Sequence, residues 1–230
     1  MIKKNGKTIQ HIYKHIHGVL PDAYQEVAYL RSDGNQRIDL QVFVDSNLTV
    51  NTKIQTKGGY SDSSVFGFLL SENNTAGRRF SIYKNNNSLF VGIGNSASQR
   101  QYDGKQNLLN NVCSLIATKD GISIDGELFA TNNADIDWQE TITFRVFGRY
   151  SNGTYNKSFI GDIYNFRVEN QYDLIPCYRK SDNVPGMYDV INDTFYTNAG
   201  TGEFTCGGVV KDNKILQIKD SQGRVIHRDI

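Results

Sequence analysis

The chain has 230 residues, of which 38% are hydrophobic and 11% aromatic, so it can bury a large core and general disorder is not expected. Its 25 basic and 24 acidic residues give a formal net charge of +1, which removes the electrostatic argument for a nucleic-acid partner. The longest apolar runs are too short to cross a bilayer, so we expect no membrane insertion.

Residues 1–20 form an N-terminal arm that differs from the rest of the chain. The arm has four lysines and no acidic residue, and Ile9, Ile12 and Ile16 also have a spacing that suits one short helix. The sequence therefore does not decide between a strand and a short helix for this arm. No uninterrupted apolar stretch follows the basic start, so we expect no secretory signal and folding in a cytoplasm.

Three of the four histidines, His11, His15 and His17, cluster in this arm. Imidazole suits zinc, but no carboxylate or cysteine stands nearby in sequence to complete a site. We interpret these histidines as exposed or as packing between chains, and on the axis of a trimer one of them could still bind an adventitious metal.

Alternation of polar and apolar residues predicts β-strands along most of the chain. The segments 48–55 and 141–147 show it most clearly. Further strands are predicted at 64–70, 79–84, 88–93, 112–118, 121–130 and 157–168. Turn residues at 119–121, 125–126 and 151–153 separate them. Many short strands at regular spacing predict an all-β sandwich or barrel.

The C-terminal end carries its own pattern after Gly207 and Gly208. Two alternating segments, 214–219 and 224–228, flank a turn and predict a terminal hairpin. The predicted organisation is therefore an arm at 1–20, one sandwich at 21–208 and a β-hairpin appendage at 209–230.

The three cysteines, Cys113, Cys177 and Cys206, are an odd number without CxxC spacing, so they predict neither a zinc site nor a disulfide framework. We expect buried, reduced thiols. A bridge between Cys177 and Cys206 is the alternative.

Two C-terminal segments carry a distinctive pattern. Residues 175–189 read IPCYRKSDNVPGMYD, and residues 192–204 read NDTFYTNAGTGEF. Together they resemble the C-terminal signature of concanavalin A-like, laminin-G-type domains in phage and prophage structural proteins, which runs F-I-P-C-x-R-K-S-D-x-x-x-G-M-Y-D and then F-Y-x-N-A-G-T-G-x-F. Residues 29–39, YLRSDGNQRID, look like a degenerate form of the same family's first strand, Y-I-E-S-T-G-T-Q-Y-I-D-T-G.

This resemblance covers about 21–206 and implies an antiparallel jelly-roll β-sandwich whose first and last strands are neighbours. Arg31, Asp33 and Arg37 depart from the first pattern, and Leu174 stands where the second begins with Phe. These departures concern a family-wide binding site more than the fold. We assign the C-terminal motif to packing, with its glycines supplying conformations closed to other residues.

The acidic string 135–140, DIDWQE, raises the question of catalysis. Laminarinase-type glycoside hydrolases share this fold and carry a Glu-x-Asp-x-(x)-Glu strand whose outer carboxylates act as a pair. Here the first position is Asp135, one methylene shorter, and the string follows loop-like residues. We interpret it as a solvated loop entering the 141–147 strand. Calcium binding stays open, with Asp62, Asp135 and Asp137 as the loop acids that would supply oxygens.

Sugar recognition uses aromatic faces for C–H surfaces and polar side chains for hydroxyls. Loops 98–105 and 149–156, together with the single tryptophan, offer both kinds of group. The candidate carbohydrate-binding residues are Arg100, Tyr102, Asp103, Trp138, Tyr150, Asn152 and Tyr155.

These observations predict a non-enzymatic virion accessory or fibre protein of a phage. Its sandwich would attach to host-surface glycans, while its ends contact other virion proteins or form a homo-oligomer, with a trimer expected from fibre architecture. No cofactor is predicted. A purely structural capsid or tail decoration is one alternative, and a laminarinase-like glycoside hydrolase is another.

Overall fold

In the computed structural model, nearly all of the regular secondary structure of the described residues is β-strand. The structure describes residues 3–4, 7–8, 20–57, 63–69, 78–85, 88–94, 100–103, 109–131, 136–151, 154–210, 217–219 and 225–228. The strands of these residues are β1 (Lys3–Lys4), β2 (Lys7–Thr8), β3 (Tyr24–Glu26), β4 (Leu30–Asp33), β5 (Ile38–Val44), β6 (Val50–Thr56), β7 (Ser63–Leu69), β8 (Arg79–Asn85), β9 (Ser88–Gly94), β10 (Arg100–Asp103), β11 (Cys113–Thr118), β12 (Gly121–Ile124), β13 (Glu127–Thr131), β14 (Glu140–Val146), β15 (Gly148–Ser151), β16 (Thr154–Ser158), β17 (Ile160–Val168), β18 (Tyr172–Arg179), β19 (Val184–Asp189), β20 (Thr194–Tyr196), β21 (Thr205–Cys206), β22 (Gln217–Lys219) and β23 (Val225–Arg228).

Two large sheets contain most of these strands. Sheet I has eight strands in the order β10-β9-β8-β7-β14-β5, with β15 and β16 attached beside β7. Sheet II has eleven strands in the order β13-β12-β11-β6-β17-β18-β19-β20, with β3, β4 and β21 attached through β18 and β17. Among the described pairings, the short contact of β15 with β7 is parallel and the others are antiparallel. The predicted antiparallel β-sandwich is confirmed.

Alternation along the strands places one row of side chains in the core. In β5 every second residue from Ile38 to Val44 is buried, and the residues between them are partly or fully exposed. Strand β14 continues the same row, because its register runs from Val146 opposite Ile38 to Glu140 opposite Val44. Strand β6 of sheet II shows the matching pattern on the other side of the core.

Three phenylalanines join the two sheets at the centre of this core. Phe66 and Phe144 of sheet I and Phe166 of sheet II have ring centroids 5.7 to 6.0 Å apart. All three are fully buried. Burying one such side chain contributes about 1.5–3 kcal/mol, so this cluster is a main source of the cohesion between the sheets.

The strands predicted in the middle of the chain are found within about two residues of their expected positions, except that the strand predicted at 157–168 begins three residues later, at Ile160. The segment 121–130 is a hairpin rather than one strand, because Asp125 and Gly126 have positive φ angles of 50° and 85° and form the turn between β12 and β13. Such a turn is what an Asp-Gly pair favours.

The neighbouring first and last strands implied by the family resemblance are also found. Strand β21 pairs with β4, with Thr205 opposite Arg31 and Cys206 opposite Leu30. At the C-terminal end β22 and β23 form the predicted antiparallel hairpin. In the N-terminal arm β1 pairs with β2, while the isoleucines and histidines at 9–17 lie outside the described residues. The division into an arm, a sandwich and an appendage stays a prediction.

The C-terminal motif packs as a structural element, as predicted. It forms β18, β19 and β20, and Met187 and Tyr188 are buried. Gly186 is required for space rather than for a left-handed conformation, because a Cβ there would lie 2.3 Å from the carbonyl oxygen of Tyr196.

The cysteines agree with the sequence in part. All three thiols are free, and Cys113 and Cys177 are buried as expected. Cys206 is exposed, which corrects the expectation that it is buried, because it lies in the two-residue strand β21 at the surface. No bridge joins it to Cys177.

Side chains from sheet II cover the free edge of β5. The Gln171 side chain accepts a hydrogen bond from the Phe43 N–H at 2.7 Å and donates one to the Phe43 carbonyl at 2.8 Å. The Tyr172 hydroxyl donates to the Gln41 carbonyl at 2.8 Å. These bonds replace those of a neighbouring strand, and they tie the two sheets together at this edge.

Candidate ligand-binding site

The predicted sugar-binding residues Arg100 and Asp103 lie in β10, at one edge of sheet I, and Tyr155 lies in β16. Asn152 lies outside the described residues.

The Tyr102 ring sits between the edges of the two sheets. Tyr102 is opposite Leu89 in the ladder, and Leu89 is a buried core residue. The Tyr102 ring centroid lies 4.8 Å from that of Phe129 in sheet II. This position makes Tyr102 a packing residue that closes one side of the sandwich.

Trp138 lies just before β14 and packs partly against the core. The Arg78 guanidinium lies 5.6 Å from the indole centroid. Arg78 also donates a hydrogen bond to Glu140, the first residue of β14, and forms an ion pair with it. The indole Nε1 is buried and has no hydrogen-bond acceptor within the described part of the chain, so packing and Arg78 hold the ring in place.

Tyr150 lies in β15 beside a second arginine. The Arg145 guanidinium is 5.3 Å from the Tyr150 centroid, and Arg145 Nε donates to Asp39 Oδ1 at 2.7 Å. Arg37 donates to the other oxygen of Asp39 at 3.3 Å. Sheet I therefore carries both Trp138 and Tyr150, each next to an arginine and a carboxylate, but the two rings belong to separate groups.

The same arrangement of ring, arginine and carboxylate recurs among the residues that the structure describes, and four such groups are compared. The four groups are Tyr29–Arg31–Asp162, Trp138–Arg78–Glu140, Tyr150–Arg145–Asp39 and Phe195–Arg179–Asp182. We refer to each group by its aromatic residue.

Exposure of the charged side chains separates these four groups. In the Tyr29 group the carboxylate is 0% exposed, and in the Tyr150 group the arginine is 6% exposed. In the Trp138 group both charged side chains are 37% exposed, and in the Phe195 group they are 40% and 42% exposed. A ligand needs to reach both the donor and the acceptor, so the first two groups are structural and the other two can bind.

Of these two, the Trp138 group has the larger aromatic surface. Tryptophan offers the widest apolar face of any side chain, and its ring binds cations best. The adjacent guanidinium is a planar set of donors, while the carboxylate is an acceptor with two oxygens. This combination can stack on an apolar face and exchange hydrogen bonds with neighbouring hydroxyl groups.

The Phe195 group lies on sheet II. Arg179 Nε and Nη2 donate to the Asp182 carboxylate at 2.6 to 3.1 Å, and the guanidinium lies 5.5 Å from the Phe195 centroid. These hydrogen bonds lower the pKa of Asp182, so its carboxylate stays ionised well below neutral pH.

The acidic string does not form a single strand that carries its carboxylates. Residues 136–139 are irregular and β14 begins at Glu140, as the interpretation of a loop entering a strand predicts. Asp135 lies outside the described residues, as does the calcium candidate Asp62, while Asp137 is exposed. Among the described side chains there is no group of three His, Cys, Asp or Glu residues that could hold a metal ion.

Sequence reasoning found Trp138 but missed its partner Arg78. Arg78 is 60 positions away in sequence, directly before β8, and only the folded chain brings it to Glu140 and the Trp138 ring. In the Phe195 group, alternation along β18 could have placed Arg179 on the outer face, and its spacing to Asp182 is that of a tight turn.

Comparisons with known proteins give matches among solved structures. No family model matches the chain, and no curated protein matches it in sequence. Among solved structures, the CBM40 module of the Ruminococcus gnavus IT-sialidase matches with a TM-score of 0.47 and 14% identity, over 63% of this chain and 90% of that one. The same module has been solved with α2,3-sialyllactose.

Two other solved structures show weaker similarity. A leech intramolecular trans-sialidase matches with a TM-score of 0.43 and 14% identity, over 61% of this chain and 26% of that one. The binding domain of botulinum neurotoxin DC, in complex with rat synaptotagmin II, has a TM-score of 0.34 and 16% identity, over 62% of this chain and 41% of that one. At these values the similarities establish no function for this chain.

Proposed function

We propose that this protein is a non-enzymatic, lectin-like module that binds glycans at the Trp138 group. One observation carries the proposal: a partly buried tryptophan lies beside an arginine–glutamate ion pair whose two side chains are each 37% exposed. The ring supplies an apolar surface, and the ion pair supplies a donor and an acceptor next to it.

The chemistry of a sugar ring suits this arrangement. One side of a pyranose presents C–H groups that pack against an aromatic face, and its rim presents pairs of hydroxyl groups. Arg78 donates to such hydroxyls and Glu140 accepts from them. Hydrogen bonds that involve an ionised partner are roughly twice as strong as neutral ones, so orientation is set by these two side chains.

We also propose that the module is carried on a phage particle, as an accessory or fibre protein assembled in the host cytoplasm. Support comes from the motif at 175–204, which resembles that of phage structural proteins and folds into β18 to β20 as part of the sandwich. On the particle, contacts with other virion proteins and assembly into a homo-oligomer, in our hypothesis a trimer, would raise the avidity of weak single sites.

A glycan array tests the binding proposal. The array carries laminaritriose, lactose and α2,3-sialyllactose, the last because it is bound in one of the neighbouring structures. Wild type is expected to bind at least one glycan, and Trp138→Ala to lose most of that signal. Arg167→Ala is the matched control, because it removes an ion pair of similar exposure, 34% and 41%, on sheet II. Equal binding by wild type and Trp138→Ala would contradict the proposed site.

A structural decoration protein is the second candidate, and the burial of Met187, Tyr188 and Phe204 of the C-terminal motif favours it. In that case, particles that lack residues 21–208 lose integrity but keep host attachment. Loss of attachment by intact particles supports glycan binding instead. The hydrolase alternative requires released products after incubation with laminarin, and none are expected.

A further inference from the structure

The Phe195 group is part of a larger aromatic cluster on the outer face of sheet II. The ring centroid of Tyr24 in β3 lies 4.7 Å from that of Tyr188 and 4.9 Å from that of Phe195. Register places the rings on one face, because Tyr24 is opposite Arg179 and Tyr188 is opposite Phe195.

The inner face of the same strands belongs to the core. Leu174 in β18 and Met187 in β19 are fully buried. Since Tyr188 follows Met187 along β19, alternation directs it away from the core and onto the outer face. Tyr24 and Phe195 are partly exposed there.

Gly186 brings the Phe195 ring against the backbone of β19. A Cβ at position 186 would lie 2.8 Å from two atoms of that ring, which is closer than real Cβ contacts. The ring therefore rests on the strand, and the Arg179 guanidinium lies 5.5 Å from its centroid. Aromatic and charged groups thus meet at one place on this face, where Tyr24 and Phe195 are partly exposed.

We propose that Tyr24, Phe195, Arg179 and Asp182 form a second saccharide-binding site. The site has the components of the Trp138 group at nearly the same separation, 5.5 Å against 5.6 Å between guanidinium and ring, and with similar exposure of both charged side chains. The ligand class rests on the function proposed above, but the location does not.

Two sites on opposite sheets make one chain bivalent. Linked sites that engage the same surface bind more tightly than either one alone, without any new contact. A single chain could also join two glycans, and assembly into an oligomer would multiply this effect.

Protein-observed NMR titration of the full chain with laminaritriose, lactose and α2,3-sialyllactose separates the two sites. The indole resonance of Trp138 reports the first site, and the amide resonances of Gly186 and Phe195 report the second. Both sets are expected to shift in wild type. In Trp138→Ala, the shifts at Gly186 and Phe195 are expected to persist.

Two variants test the second site without removing buried groups. Tyr24→Ala and Arg179→Gln are each expected to weaken binding at the second site about fivefold, by the size of one aromatic or charged contact. Both should leave the Trp138 shifts unchanged, and Arg167→Ala should change neither site. The thermal unfolding midpoint shows whether each variant is folded.

The outcomes distinguish the second site from the proposed function. Shifts confined to Trp138, with no effect of Tyr24→Ala or Arg179→Gln, overturn the second site alone. Shifts confined to Gly186 and Phe195 support the second site and overturn the first. If none of the three saccharides shifts either set, both proposals fail.

Discussion

The buried carboxylate of Asp162 allows a quantitative test of what holds β4 and β17 together within sheet II. Arg31 Nε and Nη2 contact its two oxygens at 2.5 and 2.9 Å, and Lys57 Nζ lies 3.6 Å away. The Asp162 side chain is 0% exposed, whereas that of Arg31 is 39% exposed. The hydrogen bond from Arg31 to Asp162 is also the main reason that the pKa of Arg31 is raised.

This difference in exposure predicts unequal effects of removing the two partners. In Arg31→Leu the carboxylate stays buried, with Lys57 at 3.6 Å as the cation that remains beside it. We expect the free energy of unfolding to fall by about 2–3 kcal/mol, less than for a fully buried pair because Arg31 is partly exposed. In Asp162→Asn the Arg31 guanidinium can bond to water, and the amide oxygen of the asparagine remains as one acceptor. We therefore expect the free energy of unfolding to fall by about 1 kcal/mol.

Urea unfolding of wild type, both single variants and the double variant measures this difference. We expect Arg31→Leu to cost at least about 1 kcal/mol more than Asp162→Asn, and the cycle to give a coupling of about 1–2 kcal/mol. Equal losses, or a larger loss in Asp162→Asn, would refute the reasoning that burial of the carboxylate sets the cost.

Three further predictions follow from the fold. Gln171→Ala uncovers the edge of β5 and should lower the free energy of unfolding by about 1–2 kcal/mol. The uncovered edge should also cause concentration-dependent self-association in sedimentation velocity, and a monomer at every concentration would count against it. Burial raises the pKa of Cys113 and Cys177 to about 12, so at pH 8 Cys206 should react first with a thiol reagent, and three equal rates would disagree. Burial lowers the pKa of Lys84 in the folded protein, so the free energy of unfolding of the wild type should rise as the pH increases toward the ordinary lysine pKa. Lys84→Met should be more stable by about 1 kcal/mol at pH 7 and lack that rise, and unchanged stability would argue against it.

Sequence alternation was sufficient to predict an all-β sandwich or barrel, and the family resemblance favoured the sandwich. A half-buried strand has to place one row inward, so segments such as 48–55 and 141–147 could be found without knowledge of their partners. The order of the strands could not be found in this way, because pairing is set by contacts between residues far apart in sequence. The short strands β15 and β16 were also missed, since their pattern is not distinct from that of loops.

The candidate site was predicted only in part. The single tryptophan was chosen because aromatic faces stack on sugars, but its partner Arg78, the residue before β8, was not found from the sequence. Arg31 shows the same limit: it departs from the family's first pattern, and its role became clear only when β17 placed Asp162 opposite it. Tyr102 was assigned to sugar binding although its ring packs against Phe129, because a strand edge that closes a sandwich has the same aromatic composition as a binding loop.

Fluorescence of the single tryptophan tests the central proposal most directly. If glycans bind at the Trp138 group, titration with laminaritriose, lactose or α2,3-sialyllactose changes the intensity or wavelength of emission in a saturable way. Arg78→Ala should weaken that response by about tenfold, which corresponds to roughly 1.4 kcal/mol of binding free energy. Emission that stays constant with every saccharide, in a chain that binds one of them on the array, would contradict a glycan site at Trp138.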